Sequence, residues 1–286
     1  MTRATPIALA ALVTLAAACG PVDPMTDTAA LAATQDATEG TFREAAFYFA
    51  ITRAIEAPLD GAVPLRMALQ RARDQLAEAL PGCATASLDD AAHSVAVMMR
   101  DCPGRPGLRN VSGTVVFTFA AAPGGAAEVA IRNQGDLRVG AATLTALDTV
   151  ATLQRQAATE RFVLTVTRSR VVTRSARGSV TTSTAAGATQ MTLGYRSLCF
   201  GVSGRWSLDV AEPGAASSRQ YTYAINDLRR CAGQCPQAAD VVIVLAEPAT
   251  GRELRVTYYG SEVARWVSFS NGTRTGAANF RLSCTD

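Results

Sequence analysis

Cys19 is the most informative reactive residue of the chain, because it directly follows a stretch that is typical of exported proteins. The first three residues include one arginine, residues 7–18 are uncharged and largely apolar, and three alanines immediately precede Cys19. A positive start, a short apolar run and small residues before a break are typical of a secretory signal, and the run is too short to cross a bilayer as a stable helix. We therefore predict a signal peptide over residues 1–18.

Six further cysteines could form disulfide bonds, since an even number of cysteines in an exported chain is typical of an oxidised framework. Sequence alone allows 15 pairings of six cysteines. The pairing that we favour joins Cys83 to Cys102 across a hairpin, Cys231 to Cys235 across a tight loop, and, by elimination, Cys199 to Cys284.

A row of arginines is the strongest candidate for ligand binding. Strand alternation places Arg168, Arg170 and Arg174 on one face of a strand, and guanidinium groups bind phosphates and carboxylates with two hydrogen bonds. One interpretation is a basic ridge for an anionic lipid, lipopolysaccharide or an acidic glycan. The other is a solvated sheet face whose charges also prevent pairing at a sheet edge. Nucleic acid is not expected, because the net charge is only +3 and no aromatic residues lie among the arginines.

We find no pattern that predicts catalysis. The only histidine, His93, lies in a strand-like stretch, and any Ser-His-Asp triad would have to include it. The chain has no lysine, which a P-loop or a Schiff base requires. The close cysteine pair at 231 and 235 lacks the spacing of a zinc site. We therefore predict no enzyme activity, no metal and no cofactor.

Acidic pairs leave one catalytic alternative open. Asp89 and Asp90 lie where a hairpin turn is expected, and aspartates commonly cap such turns. Glu253 and Glu262 lie near arginines in predicted strands, which favours cross-strand ion pairs. A two-carboxylate glycosidase site is the alternative, since the separation of two acids is a property of the tertiary structure.

The elements that would position these residues are a short helical segment and a long β region. Residues 19–40 have no apolar period and are predicted to be a flexible tether. Residues 41–82 are predicted to hold two helices: the first begins with a capping box at Thr41, and the second runs from Pro64 to Leu80. The apolar stripe of the second helix comprises Leu65, Leu69, Ala72, Leu76 and Leu80.

Residues 83–286 are predicted to form an antiparallel β domain, because alternating apolar residues recur about every ten residues between glycine-rich turns. The three clearest runs are Val115, Phe117 and Phe119; Phe162, Leu164 and Val166; and Leu254, Val256 and Tyr258. The segment 241–245 is apolar on both faces and is predicted to be a central strand covered on both sides. The fold class is therefore mainly β with a small N-terminal helical segment, arranged as a meander, a sandwich or a partly open barrel.

Taken together, these features resemble a group of uncharacterised bacterial lipoproteins. The matching parts are the small residues before Cys19; Cys83 with the stretch from Leu88 to Cys102; Gly113-Thr114-Val115-Val116; and the terminal strands 251–256 and 280–284. The stretch before Cys19 resembles a lipobox, although Leu15 stands one residue further from the cysteine than is usual. The resemblance implies that Cys19 is lipidated, and it brings no known activity.

These patterns predict a lipid-anchored cell-envelope protein with a non-enzymatic structural or interaction role. Its partners would be a membrane, through the anchor, and an anionic lipid or glycan. Gly20 stands where many lipoproteins retained at the inner membrane have Asp, which by analogy favours the outer membrane of a two-membrane bacterium. The alternative is a carrier that holds a hydrophobic ligand in a half-barrel, a suggestion that depends on fold analogy.

Overall fold

One helix and fourteen strands make up the part of the chain that the computed structural model describes, which is residues 65–79, 82–103, 109–123, 126–156, 161–176, 178–186, 189–194, 199–231, 234–235 and 243–281. In chain order they are α1 (Leu65–Ala79), β1 (Ala84–Asp89), β2 (Ser94–Pro103), β3 (Arg109–Ala122), β4 (Ala126–Val139), β5 (Ala142–Gln156), β6 (Arg161–Arg174), β7 (Val180–Ala185), β8 (Thr189–Gly194), β9 (Cys199–Ala211), β10 (Arg219–Cys231), β11 (Ile243–Glu247), β12 (Arg252–Tyr258), β13 (Val263–Ser270) and β14 (Thr273–Arg281). The predicted mainly-β class is confirmed. The predicted signal peptide, Cys19, the tether and the helix starting at Thr41 lie outside the described residues.

The predicted second helix is confirmed as α1, which packs against β1, β2 and β3. Its sequence contains neither glycine nor proline, and leucine, alanine, arginine and glutamine all favour helix. Leu69 and Ala72, three residues apart on one face, are both buried in the core. In the first turn of the helix, Arg66 forms an exposed ion pair of 3.1 Å with Asp90 in the β1–β2 turn.

The strands form one antiparallel sheet in which almost every strand pairs with the next one along the chain. The exception is a pair of short strands, β7 and β8, which lie end to end between the long strands β6 and β9. The described pairings follow an open path from β1 to β14. Of the architectures that the sequence leaves open, the observed one is therefore the meander, with hairpin connections that keep neighbouring strands local in sequence.

One face of this sheet, here called the inner face, carries the core. The alternating residues Val115, Phe117 and Phe119 of β3 are buried, and their counterparts in β6 and β12 are buried as well. The buried side chains of the described strands and of α1 belong to a single cluster. Within it the rings of Trp206 and Tyr223, directly opposite each other on β9 and β10, lie 5.6 Å apart. The predicted alternation is confirmed for all three runs.

The apolar segment near residue 243 differs in part from its prediction. Strand β11 pairs with β10 on one side and β12 on the other, so it is an interior strand as expected. However, Leu245 is buried whereas Val244 and Ala246 are only half-buried, so the segment is not fully covered on both faces. An apolar outer-face residue needs no covering layer, because a protein surface contains much apolar area.

Two of the three favoured disulfide pairings are wrong. The Cys83–Cys102 bond is confirmed and closes the open end of the β1–β2 hairpin. Cys199, however, is bonded to Cys231, so neither the Cys231–Cys235 nor the Cys199–Cys284 pairing exists. The register of β9 and β10 explains the difference, because it places Cys199 directly opposite Cys231. Cys235 is also disulfide-bonded, and Cys284 lies outside the described residues.

A buried hydroxyl in β8 gives a first testable prediction. Thr189 is fully buried against Gly204, and its Oγ1 has no hydrogen-bond partner among the described residues. An unpaired buried hydroxyl costs on the order of 1 kcal/mol or more. Thr189→Val keeps the shape of the side chain, so we expect the free energy of unfolding to rise by about 1 kcal/mol in urea denaturation.

The matched control is the same substitution at Thr149, which is equally buried but shares a 2.9 Å hydrogen bond with Ser169 across β5 and β6. Thr149→Val should lower the free energy of unfolding by about 1–2 kcal/mol, because it breaks that bond. Loss of stability in both variants would contradict the assignment of Thr189 as unpaired.

Candidate functional site

A β-bulge in β6 decides where the predicted arginine row points. Val150 of β5 is opposite Arg168, but the next residue, Ala151, is opposite Val166, so Thr167 is an extra residue in β6. A bulge of this kind shifts the alternation by one. Without it, Arg168 would share the buried face of Val166. With it, Ser169 points inward and Arg168 points to solvent.

After the bulge, alternation continues through the end of the strand. Arg168, Arg170 and Arg174 are all exposed on the outer face of the sheet. The prediction that these three share one face agrees with this placement. Val172, between the last two, is half-buried on the same face.

The register brings two further arginines of β4 to the same surface. Arg132 is opposite Asp148, which is opposite Arg170, and Arg138 is opposite Thr143, which is opposite Arg174. We call the surface formed by Arg132, Arg138, Arg168, Arg170 and Arg174 the arginine face. With about 3.4 Å per residue and 4.8 Å between strands, these five Cα positions extend over roughly 20 Å by 10 Å.

Asp148 is the carboxylate that forms ion pairs within the arginine face, and two arginines neutralise it. Its Oδ1 accepts hydrogen bonds from Arg132 at 3.0 Å and from Arg168 at 3.2 Å. Partial burial raises the pKa of Asp148, but the hydrogen bond from Arg132 and the charges of Arg168 and Arg132 outweigh it, so the pKa lies below its usual value. The stabilisation from this carboxylate is therefore present above its unfolded-state pKa and is lost as the pH falls through the lowered, folded-state value.

The other three members of the arginine face keep their charge unneutralised. Within the described residues, Arg138, Arg170 and Arg174 form no ion pair. The two strands that flank the face, β3 and β7, contain no acidic residue, and neither does β6. Glu128 of β4 lies four residues before Arg132, and Asp136 of β4 is exposed between Arg132 and Arg138. The outer positions between the arginines on β5 and β6 include the apolar residues Ala146, Val150 and Val172.

The three arginines are exposed, which agrees with the interpretation as a solvated sheet face, but the edge-protection part of that interpretation is wrong. Edge protection applies to a strand with unpaired backbone groups. Strand β6 instead pairs with β5 on one side and with β7 and β8 on the other. Because β6 is an interior strand, its arginines have no edge to protect.

Sequence reasoning missed Arg132, Arg138 and Asp148. Between Arg132 and Leu137 the β4–β5 register shifts, so no fixed spacing in the sequence relates the two arginines of β4. Their link to β6 depends on two successive strand pairings, β4 with β5 and β5 with β6, that join residues up to 31 positions apart in the chain. One signal was available in the sequence, because the segment that forms β6 contains no acidic residue.

The other candidate residues have local roles. Asp89 caps the β1–β2 turn as predicted, because its carboxylate accepts the backbone N–H groups of Ala91 and Ala92 at 3.0 Å each. His93 is exposed in that turn with a φ of 49°, and its carbonyl accepts the N–H of Phe119 at 3.0 Å.

The acids near the C-terminal end differ from prediction. Glu253 forms its ion pair with Arg255 two residues along the same strand, not across strands. The guanidinium of Arg255 also lies 4.5 Å from the ring centre of Phe269 on the neighbouring strand. A cation over an aromatic face is an attractive contact, so this arginine is committed to local packing.

Two kinds of site are absent from the described residues. No group of three or more His, Cys, Asp and Glu side chains there is arranged to hold a metal ion. In that same part of the chain, no helix has both the length and the apolar character needed to span a membrane.

Comparison of the chain with protein-family models, with curated protein sequences and with solved structures found no match.

Proposed function

We propose that this chain is a lipid-anchored cell-envelope protein with a non-enzymatic structural or interaction role, located at the outer membrane of a two-membrane bacterium. The observation that carries the proposal is the oxidation of all five described cysteines, at positions 83, 102, 199, 231 and 235. Disulfides of this kind persist in compartments outside the cytoplasm. They support the export that the sequence of residues 1–18 predicts.

Acylation of Cys19 has a consequence for the disulfide bonds. Cys83 is bonded to Cys102 and Cys199 to Cys231, and Cys235 is disulfide-bonded as well. Two cysteines of the sequence remain, Cys19 and Cys284. A lipidated Cys19 cannot form a disulfide, so the proposal requires Cys284 to be the partner of Cys235.

The first test is metabolic labelling with radiolabelled palmitate, followed by separation of membranes. We expect label in the wild-type chain, none in Cys19→Ser, and release of that variant into the soluble periplasmic fraction. The reason is that two or more acyl chains supply most of the membrane affinity of such a protein, at about 0.8 kcal/mol for each buried CH₂ group.

A non-reduced peptide map of the same wild-type sample is the control. A Cys235–Cys284 peptide supports the proposal, whereas a Cys19–Cys235 peptide, or equal labelling of wild type and Cys19→Ser, contradicts it. Native mass spectrometry of the purified protein then tests the role itself, since a stoichiometric apolar ligand released from the interior would favour a carrier instead.

A further inference from the structure

We propose that the arginine face binds the phosphate groups of anionic phospholipids, so that the β body lies with the outer face of β4–β6 against the membrane. This inference rests on the proposed lipid anchor, which would hold the body near a bilayer. The first argument is charge. Five arginines and two aspartates, Asp136 and Asp148, occupy the surface, and no acidic residue is present on β3, β6 or β7. An ordinary solvated face carries charges of both signs interspersed.

The second argument is the chemistry of the side chains. A guanidinium group binds a phosphate through two parallel hydrogen bonds and keeps its charge at any physiological pH. Arg170 and Arg174 lie on one strand, four residues and so roughly 14 Å apart. Arg138 lies two strands from Arg174 in the same row. Charges spread over such an area fit a two-dimensional array of headgroups, each arginine reaching a different phosphate.

The third argument is the environment of the arginines. Ala146, Val150 and Val172 are half-buried outer-face residues that lie between them. Small apolar side chains among cations suit the boundary between headgroups and acyl chains. Acidic glycans, in contrast, would leave these side chains without an apolar partner.

The predicted tether makes weak binding sufficient. A flexible segment as long as residues 19–40 has a root-mean-square span of roughly 25 Å. An anchored body therefore meets its own membrane at an effective concentration near the millimolar range. Each basic residue near an anionic surface contributes to binding, and the contributions add approximately.

The test uses the mature chain, residues 19–286, with Cys19→Ser, so that neither the signal peptide nor an acyl chain contributes, and measures co-sedimentation with vesicles at low salt. One set of vesicles contains about a third phosphatidylglycerol in phosphatidylcholine, and the other contains phosphatidylcholine alone. We expect binding to the anionic vesicles that weakens as salt rises. Arg138→Gln, Arg170→Gln and Arg174→Gln together should weaken the apparent affinity about a hundred-fold, from roughly a factor of five per charge.

The matched control removes three exposed arginines elsewhere on the outer face, with Arg205→Gln, Arg265→Gln and Arg274→Gln. Both triple variants lower the net charge by the same amount. A difference in their affinity for the vesicles therefore reports the position of the arginines and not the total charge. We expect the control to lose less than about five-fold. Asp148→Asn should instead strengthen binding several-fold, because it frees Arg132 and Arg168 from their shared carboxylate. Circular dichroism and disulfide content check that every variant is folded.

Three results would overturn the inference. They are equal losses in the two triple variants, absence of wild-type binding to the anionic vesicles, and binding to polygalacturonate without binding to vesicles. Because this test uses an unacylated chain, its failure leaves the palmitate result of the proposed function unaffected.

Discussion

Cys199→Ser combined with Cys231→Ser is expected to lower the free energy of unfolding by about 3–4 kcal/mol. The bond joins residues 32 positions apart and closes the β9–β10 hairpin. The bond restricts the unfolded chain by closing a loop of that length. Removing it raises the conformational entropy of the unfolded chain, which accounts for the size of the loss. Because domains are stable by only about 5–15 kcal/mol, this is a large fraction of the total. The measurement is equilibrium denaturation in guanidinium chloride without reductant.

The single variants provide the control for the pairing. Cys199→Ser and Cys231→Ser remove the same bond, so each should lose about as much stability as the double variant. The pairing of Cys231 with Cys235 and of Cys199 with Cys284 would instead make the two losses additive. Additive losses would therefore contradict the structure, and each single variant should also show one free thiol under denaturing conditions.

Phe117→Ala is expected to lower the free energy of unfolding by about 3–5 kcal/mol. Phe117 is 2% exposed and lies on the inner face of β3, within the single core cluster. Truncating it removes apolar contact and leaves a cavity, because the surrounding strands are hydrogen-bonded on both sides and can collapse only in part. Urea denaturation, with the dependence on denaturant compared between variants, measures the loss.

The matched control is Phe269→Ala, the same truncation on the outer face of β13. Phe269 is only half-buried and contacts the guanidinium of Arg255. We expect a loss of about 1 kcal/mol or less, from partial burial and the lost cation contact. Equal losses at the two positions would contradict the division of the sheet into a buried inner face and a solvated outer face.

Local patterns predicted much of this fold because they act over a few residues. The stripe containing Leu69 and Ala72 specified helix α1, and alternation specified the buried residues Val115, Phe117 and Phe119. The turn at Asp89 was predictable for the same reason, since an aspartate caps neighbouring N–H groups. The Cys83–Cys102 bond spans one hairpin, whose register follows from its two strands.

The candidate site was predictable only in part. The sequence places Arg168, Arg170 and Arg174 at even spacing, so their common face follows from strand geometry alone. The bulge at Thr167 decides whether that face is the inner or the outer one. Strict alternation from Val166 would place the three arginines on the buried inner face. No residue type marks this bulge, because it arises from the pairing of β5 with β6.

The sequence by itself thus determined the fold class, the helix, the strand alternation and the presence of a cysteine framework, all of which depend on the chemistry of adjacent residues. Only the tertiary structure decided that Cys199 pairs with Cys231, that β6 is an interior strand, and that Arg132 and Arg138 join the arginines of β6. Those features depend on register between strands that are distant in sequence. A shift of one residue in register moves every side chain of a strand to the other face, and composition does not encode that shift.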